Sequence, residues 1–97
     1  MKLAKKQIGI IQDYFKAQPV LKDYLFGSFV RGEASENRDV DILVELDYSK
    51  DIGLDFIQMQ IDLKNLLSKK VDLVSARRLS KYVQPVIDAE KQLIYDR

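Results

Sequence analysis

Two aspartates separated by one valine, Asp39 and Asp41, follow a glycine–serine pair, Gly27 and Ser28, after ten intervening residues in the stretch GSFVRGEASENRDVD. Carboxylates at i and i+2 of an extended segment project to the same side. Asp39 and Asp41 can therefore share one divalent cation, while Val40, Ile42, Val44 and Leu46 point the other way. Such a strand buries its apolar face and keeps oxygen ligands for a hard cation on the other. The glycine closes the apolar stretch Tyr24, Leu25, Phe26 and permits a tight strand-to-helix turn, where free N–H groups attract phosphate oxygens. Phosphate donors and a carboxylate pair one short turn apart imply nucleoside triphosphate chemistry.

Each part alone also has an ordinary structural explanation. Alternating acids and apolar residues describe the solvent face of a half-exposed strand, and Gly-Ser is a common turn and helix cap. Asp72 adds weight, because it interrupts the apolar run Val71, Leu73, Val74, and a lone buried carboxylate is costly unless paired or coordinated. A third acid on a strand beside Asp39 and Asp41 would explain it; an edge strand with Asp72 in solvent would explain it equally. Arg31, three residues after Ser28, offers the fixed fork of donors that suits phosphate, although a surface helix arginine would need no explanation.

The elements that must position these residues are read from periodicity. Ile8, Ile11 and Phe15, with Leu3, Ala4 and Tyr14 beside them, recur at helical spacing ahead of Pro19, which ends the helix. Residues 20–26 read as a first strand, 28–34 as a brief helix weakened by Gly32, 35–38 as a polar turn and 39–46 as a second strand. After a loop over 47–53, in which Ser49 or Asp51 could cap the next helix, Leu54, Ile57 and Ile61 form one helical row. Met59, Leu63, Leu66 and Leu67 form another, so 54–68 is expected to be a well buried helix ended by Lys69 and Lys70. Residues 71–75 read as a third strand. Leu79, Val83, Val86 and Ile87 point to a last helical region with a break or new start at Pro85, and 92–95 to a final strand. This order predicts an α/β (α+β) fold, a small mixed sheet packed by helices, in a single domain over 1–97.

Composition narrows the chemistry. The 97 residues contain no cysteine and no histidine, which excludes thiolate and imidazole catalysis, disulfides and the usual zinc ligands. A formal net charge of +1 argues against nucleic acid held by bulk electrostatics. The basic residues Lys69, Lys70, Arg77, Arg78 and Lys81 are read as a solvated rim or partner contact. No apolar stretch reaches the roughly 18 residues of a membrane span, and the amino terminus lacks the apolar core of a secretory signal, so a cytosolic location is expected.

In conjunction these features resemble the nucleotidyltransferase superfamily founded by DNA polymerase beta. The short chain and the phrase LFGSFVRGEASENRDVDILVE look most like its minimal nucleotidyltransferase (MNT) branch. The resemblance runs from the first helix through KKVDLV to QLIYDR. It implies that Gly27 and Ser28 hold the nucleotide phosphates, next to the Arg31 read above as a phosphate ligand, and that Asp39 and Asp41 bind magnesium with Asp72 as the third carboxylate of the metal site. In the family mechanism two magnesium ions position ATP for in-line attack by a hydroxyl on the α-phosphorus, with Asp72 assisting deprotonation. Where serine often precedes the first aspartate in the family, this chain has Arg38. The resemblance further implies an antitoxin that transfers AMP to a tyrosine of a HEPN-domain toxin. Two rivals stay open: an antitoxin that neutralises its partner by binding alone, and a transferase acting on a small-molecule hydroxyl.

Overall fold

The computed structural model describes residues 3–32 and 39–97. The expected brief helix beyond residue 32, the polar turn over 35–38 and Arg38 lie wholly or partly outside them. The first helix, α1 (Lys5–Phe15), turns Ile11 and Phe15, one helical turn apart, inward to full burial. Beyond Pro19 the chain extends into β1 (Val20–Phe26), turns at Gly27 into the single-turn α2 (Ser28–Arg31), and returns as β2 (Val40–Leu46). Then come α3 (Asp55–Leu67), β3 (Val71–Ser75), a 3-10 turn over Ala76–Arg78, α4 (Gln84–Glu90) and β4 (Gln92–Asp96). Pro85 stands in the first turn of α4, where its missing N–H costs nothing, so the new start anticipated there is observed.

The sheet is mixed, in the order β3-β2-β1-β4. β1 pairs antiparallel with both β2 and β4, whereas β2 and β3, joined through α3, run parallel. Residues directly opposite one another share a face. Leu25 lies opposite Ile42, and both enter one core with Val40, Val44, Leu46, Val71 and Leu73, covered by Ile11 and Phe15 of α1 and Met59, Leu63 and Leu67 of α3. The Tyr14 hydroxyl donates to Asp62 Oδ2 at 2.6 Å, and Gln12 Nε2 donates to the Ile94 carbonyl at 2.7 Å. These bonds tie α1 to α3 and to β4. The opposite face carries Asp41, Leu43 and Tyr24, with Lys91, just beyond α4, over the Tyr24 ring at 4.4 Å.

The helix over α3 is buried on one side only. Met59, Leu63 and Leu67 point into the core, but Leu54, Ile57 and Ile61 are 78%, 58% and 48% exposed, and Leu66, in the same row as Met59, is 48% exposed. Two apolar rows on a helix are buried only if two layers cover it, and a single sheet with α1 at its flank covers one. The expected caps also differ: α3 begins after Leu54 with no side-chain cap among the described residues, and Ser49 instead donates its N–H and hydroxyl to Asp47.

One buried group was not anticipated. Asp23, on the interior strand β1, lies opposite Val44 and so faces the core, fully buried, with no hydrogen-bond partner for either carboxylate oxygen among the described residues. Burial pushes its pKa from 3.8 up to about 8, so the group is carried protonated at neutral pH. The folded state therefore holds a proton that the unfolded chain releases above about pH 4, and stability falls as pH rises until ionisation in the folded state near pH 8. Asp23→Val is expected to raise stability, with a gain over wild type that grows by up to about 1.4 kcal/mol per pH unit between pH 4 and 8. Denaturant unfolding at pH 5 and pH 8 checks this; a gain independent of pH would contradict it.

Candidate active site

The turn after β1 brings backbone against carboxylate. Gly27 has φ 78° and ψ −154°, a conformation essentially reserved for glycine. Phe26 pairs with Asp41 at the end of the β1/β2 ladder, and a Cβ added at Gly27 would overlap Asp41 Oδ2. Ser28 opens α2, Phe29 is buried in the core and anchors this single turn, and Gly32 ends it in the left-handed region at φ 74°. Arg31 emerges on the side of the acids, where its guanidinium offsets part of the rise in Asp41 pKa.

Asp39 immediately precedes β2, which starts one residue later than expected, and the Val40 N–H donates to the Lys70 carbonyl at 2.9 Å. That bond begins a parallel register in which Asp41 lies beside Asp72. The expectation of a third acid on the neighbouring strand is met in position, but not for the reason of burial. Asp72 is exposed because β3 is an edge strand whose inward positions are Val71 and Leu73. Lys70 Nζ stands 3.8 Å from Asp39 Oδ2, a solvent-exposed pair of little energetic weight.

Asp41 is the electrostatic centre. Burial first, then the neighbouring carboxylates Asp72 and Asp39, raise its pKa from 3.8 to about 6. An oxygen-only donor set whose members repel one another suits a hard divalent cation, which would relieve that repulsion. Among the described residues no three acids already form a coordination cluster. Glu90, at the end of α4, is the site residue that local spacing did not disclose. Its Oε1 accepts from the Gly27 N–H at 3.3 Å and its Oε2 from Arg31 Nη1 at 2.8 Å, and it too raises the Asp41 pKa. The sequence signal was faint, one acid near the end of a short helix far from the Gly-Ser turn.

A strand-to-helix glycine turn packed against an acid pair at the head of a mixed sheet is the arrangement of a nucleotidyltransferase. Residues 10–97 match the model of the Polymerase beta, Nucleotidyltransferase family, and the chain belongs to that family of enzymes. A Methanocaldococcus jannaschii protein provisionally named protein adenylyltransferase MJ1379 is 33% identical over 95 residues, covering 96% of this chain and 90% of the relative. A solved structure described provisionally as a minimal nucleotidyltransferase superposes with TM-score 0.79 at 27% identity, covering 91% of this chain and 89% of that one. The fold is also that of the MNT antitoxin solved with the tri-AMPylated HEPN toxin of Shewanella oneidensis, with TM-score 0.71 at 20% identity over 96% of this chain and 72% of that one.

Gly27→Ala is expected to destabilise the fold by about 1–3 kcal/mol from backbone conformation alone, with the overlap on Asp41 adding to it; chemical denaturation measures the loss, and an unchanged midpoint would refute the close approach. For Asp41, a folded pKa raised to about 6 means that stability is lost as pH rises from about 4 to 6. Without divalent ions Asp41→Asn should therefore melt above wild type at pH 7 and match it more closely at pH 4. In wild type, magnesium should raise the melting temperature at pH 7.5 more than at pH 5, where protons compete for the carboxylate; Asp41→Asn should lose that response.

Proposed function

We propose that this chain is a magnesium-dependent protein adenylyltransferase, acting as a single domain, that transfers AMP from ATP to a tyrosine hydroxyl of a cognate HEPN-domain toxin and so serves as its antitoxin. The observation that carries the reading is the packing of the Gly27 turn against Asp41 with Asp72 in register beside it. The relative named as a protein adenylyltransferase and the fold shared with an MNT antitoxin crystallised on an AMPylated toxin support the acceptor class.

In this mechanism Gly27, Ser28 and Arg31 hold the triphosphate by backbone N–H, hydroxyl and guanidinium donors. Asp39, Asp41 and Asp72 hold magnesium, two ions in the full complex, which supplies positive charge against the phosphate oxygens. The acceptor oxygen bonds to the α-phosphorus as the bond to the β-phosphate oxygen breaks and pyrophosphate leaves. Asp72 takes the acceptor proton. Its exposure on an edge strand favours this role, because a hydroxyl carried by another protein can reach it.

The test is transfer of labelled AMP from ATP to a toxin encoded beside this chain. Asp39→Asn and Asp41→Asn should abolish it. Asp72→Asn should bind ATP with magnesium at near-normal affinity yet transfer at least about a hundredfold more slowly, the scale of a lost general base. Growth rescue by Asp72→Asn equal to wild type at matched expression would defeat the enzymatic reading in favour of neutralisation by binding. Transfer to small alcohols but not to the toxin would defeat the acceptor assignment.

A further inference from the structure

The donors assigned to phosphate already hold an anion, and it belongs to the chain itself. Glu90 ends α4, and both of its carboxylate oxygens face residues far away in sequence. One accepts the Gly27 N–H at 3.3 Å and the other the Arg31 guanidinium at 2.8 Å. Its side chain is only 20% exposed, so this is a seated group rather than a surface acid that happens to reach an arginine. A carboxylate and a phosphate ask for the same things, coplanar or convergent N–H donors and a nearby positive charge. Both cannot occupy one guanidinium edge and one amide at the same time. Glu90 also lies close enough to act on Asp41, so while seated it adds negative charge where a triphosphate would bring more.

We propose that Glu90 is an internal occupant of the phosphate subsite, and that ATP binds by displacing its carboxylate from Arg31 and the Gly27 amide. This rests on the proposed function, which gives those donors to the triphosphate. The exchange conserves hydrogen bonds at Arg31 and lets α4 report the nucleotide state: with Glu90 seated, α2 and α4 are tied together, and with ATP bound the tie is released. The cost of displacement is modest, since Arg31 is 45% exposed and water screens the pair. Glu90 thus lowers affinity for nucleotide without abolishing it, and keeps Arg31 oriented when no nucleotide is bound.

Equilibrium binding of ATP, with and without magnesium, to wild type, Glu90→Gln, Arg31→Ala and the double variant tests this. Glutamine keeps an acceptor for the Gly27 N–H but gives up the charge that holds Arg31. Glu90→Gln should bind ATP roughly three- to tenfold more tightly, and Glu90→Ala should do the same should the glutamine variant fold poorly. In the Arg31→Ala background, where ATP binds more weakly, the Glu90 substitution should give a smaller gain than in wild type, because the Arg31 part of the competition has already been removed and only the Gly27 amide and the charge near Asp41 remain. Unchanged or weaker binding by both Glu90 variants, with wild type still binding ATP, would overturn the displacement and leave the proposed function standing. Failure of every protein to bind ATP would overturn both.

Discussion

The candidate site exists because the backbone at residue 27 carries no side chain. β1 delivers the chain to a point directly against the carboxylate of Asp41, and only glycine can occupy that point, both for its φ and ψ and for the space it leaves. This single contact sets the positions of the other site residues. The first turn of α2 is aimed across the head of β2, Arg31 arrives beside the acids, and β2 is held in the register that puts Asp41 next to Asp72. The cost of the arrangement is electrostatic, since burial and its acidic neighbours leave Asp41 reluctant to ionise.

The core explains why that cost is tolerable. Along β2 every second residue from Val40 to Leu46 is committed to the apolar side under α1 and α3, so the other face, where Leu43 is the buried apolar residue, can carry the acid of the site at position 41. Stability and chemistry are thereby assigned to opposite faces of one strand. An acid at position 41 burdens the site face, while the packing that holds position 41 in place is made by positions 40, 42 and 44.

The parts of the fold legible in the sequence were those encoded locally. A period of two placed Asp39 and Asp41 together, and the glycine after Phe26 marked the turn. Pro19 and Pro85 marked where helices end and begin. What escaped was set by distance or by layer count. Helical spacing identified the row Leu54, Ile57 and Ile61 but could not say that, among the described residues, no second layer covers it. An acid inside an apolar run left Asp72 open between a coordinated interior position and a solvent-facing edge, and only strand order, with β3 outermost, decides for the edge. Glu90 reaches the turn from the far end of the chain, a pairing no local pattern encodes. Asp23 broke the rule that interior positions are apolar, and no neighbour in sequence announced it.

Asp23 also makes folding a chemical reaction with the solvent. At neutral pH the unfolded chain carries it ionised and the folded chain carries it protonated, so each folding event draws close to one proton from the buffer. The calorimetric heat of unfolding then contains the ionisation heat of whichever buffer receives that proton. Melting enthalpies of this protein in phosphate and in Tris will differ accordingly, although the folded structure is the same in both.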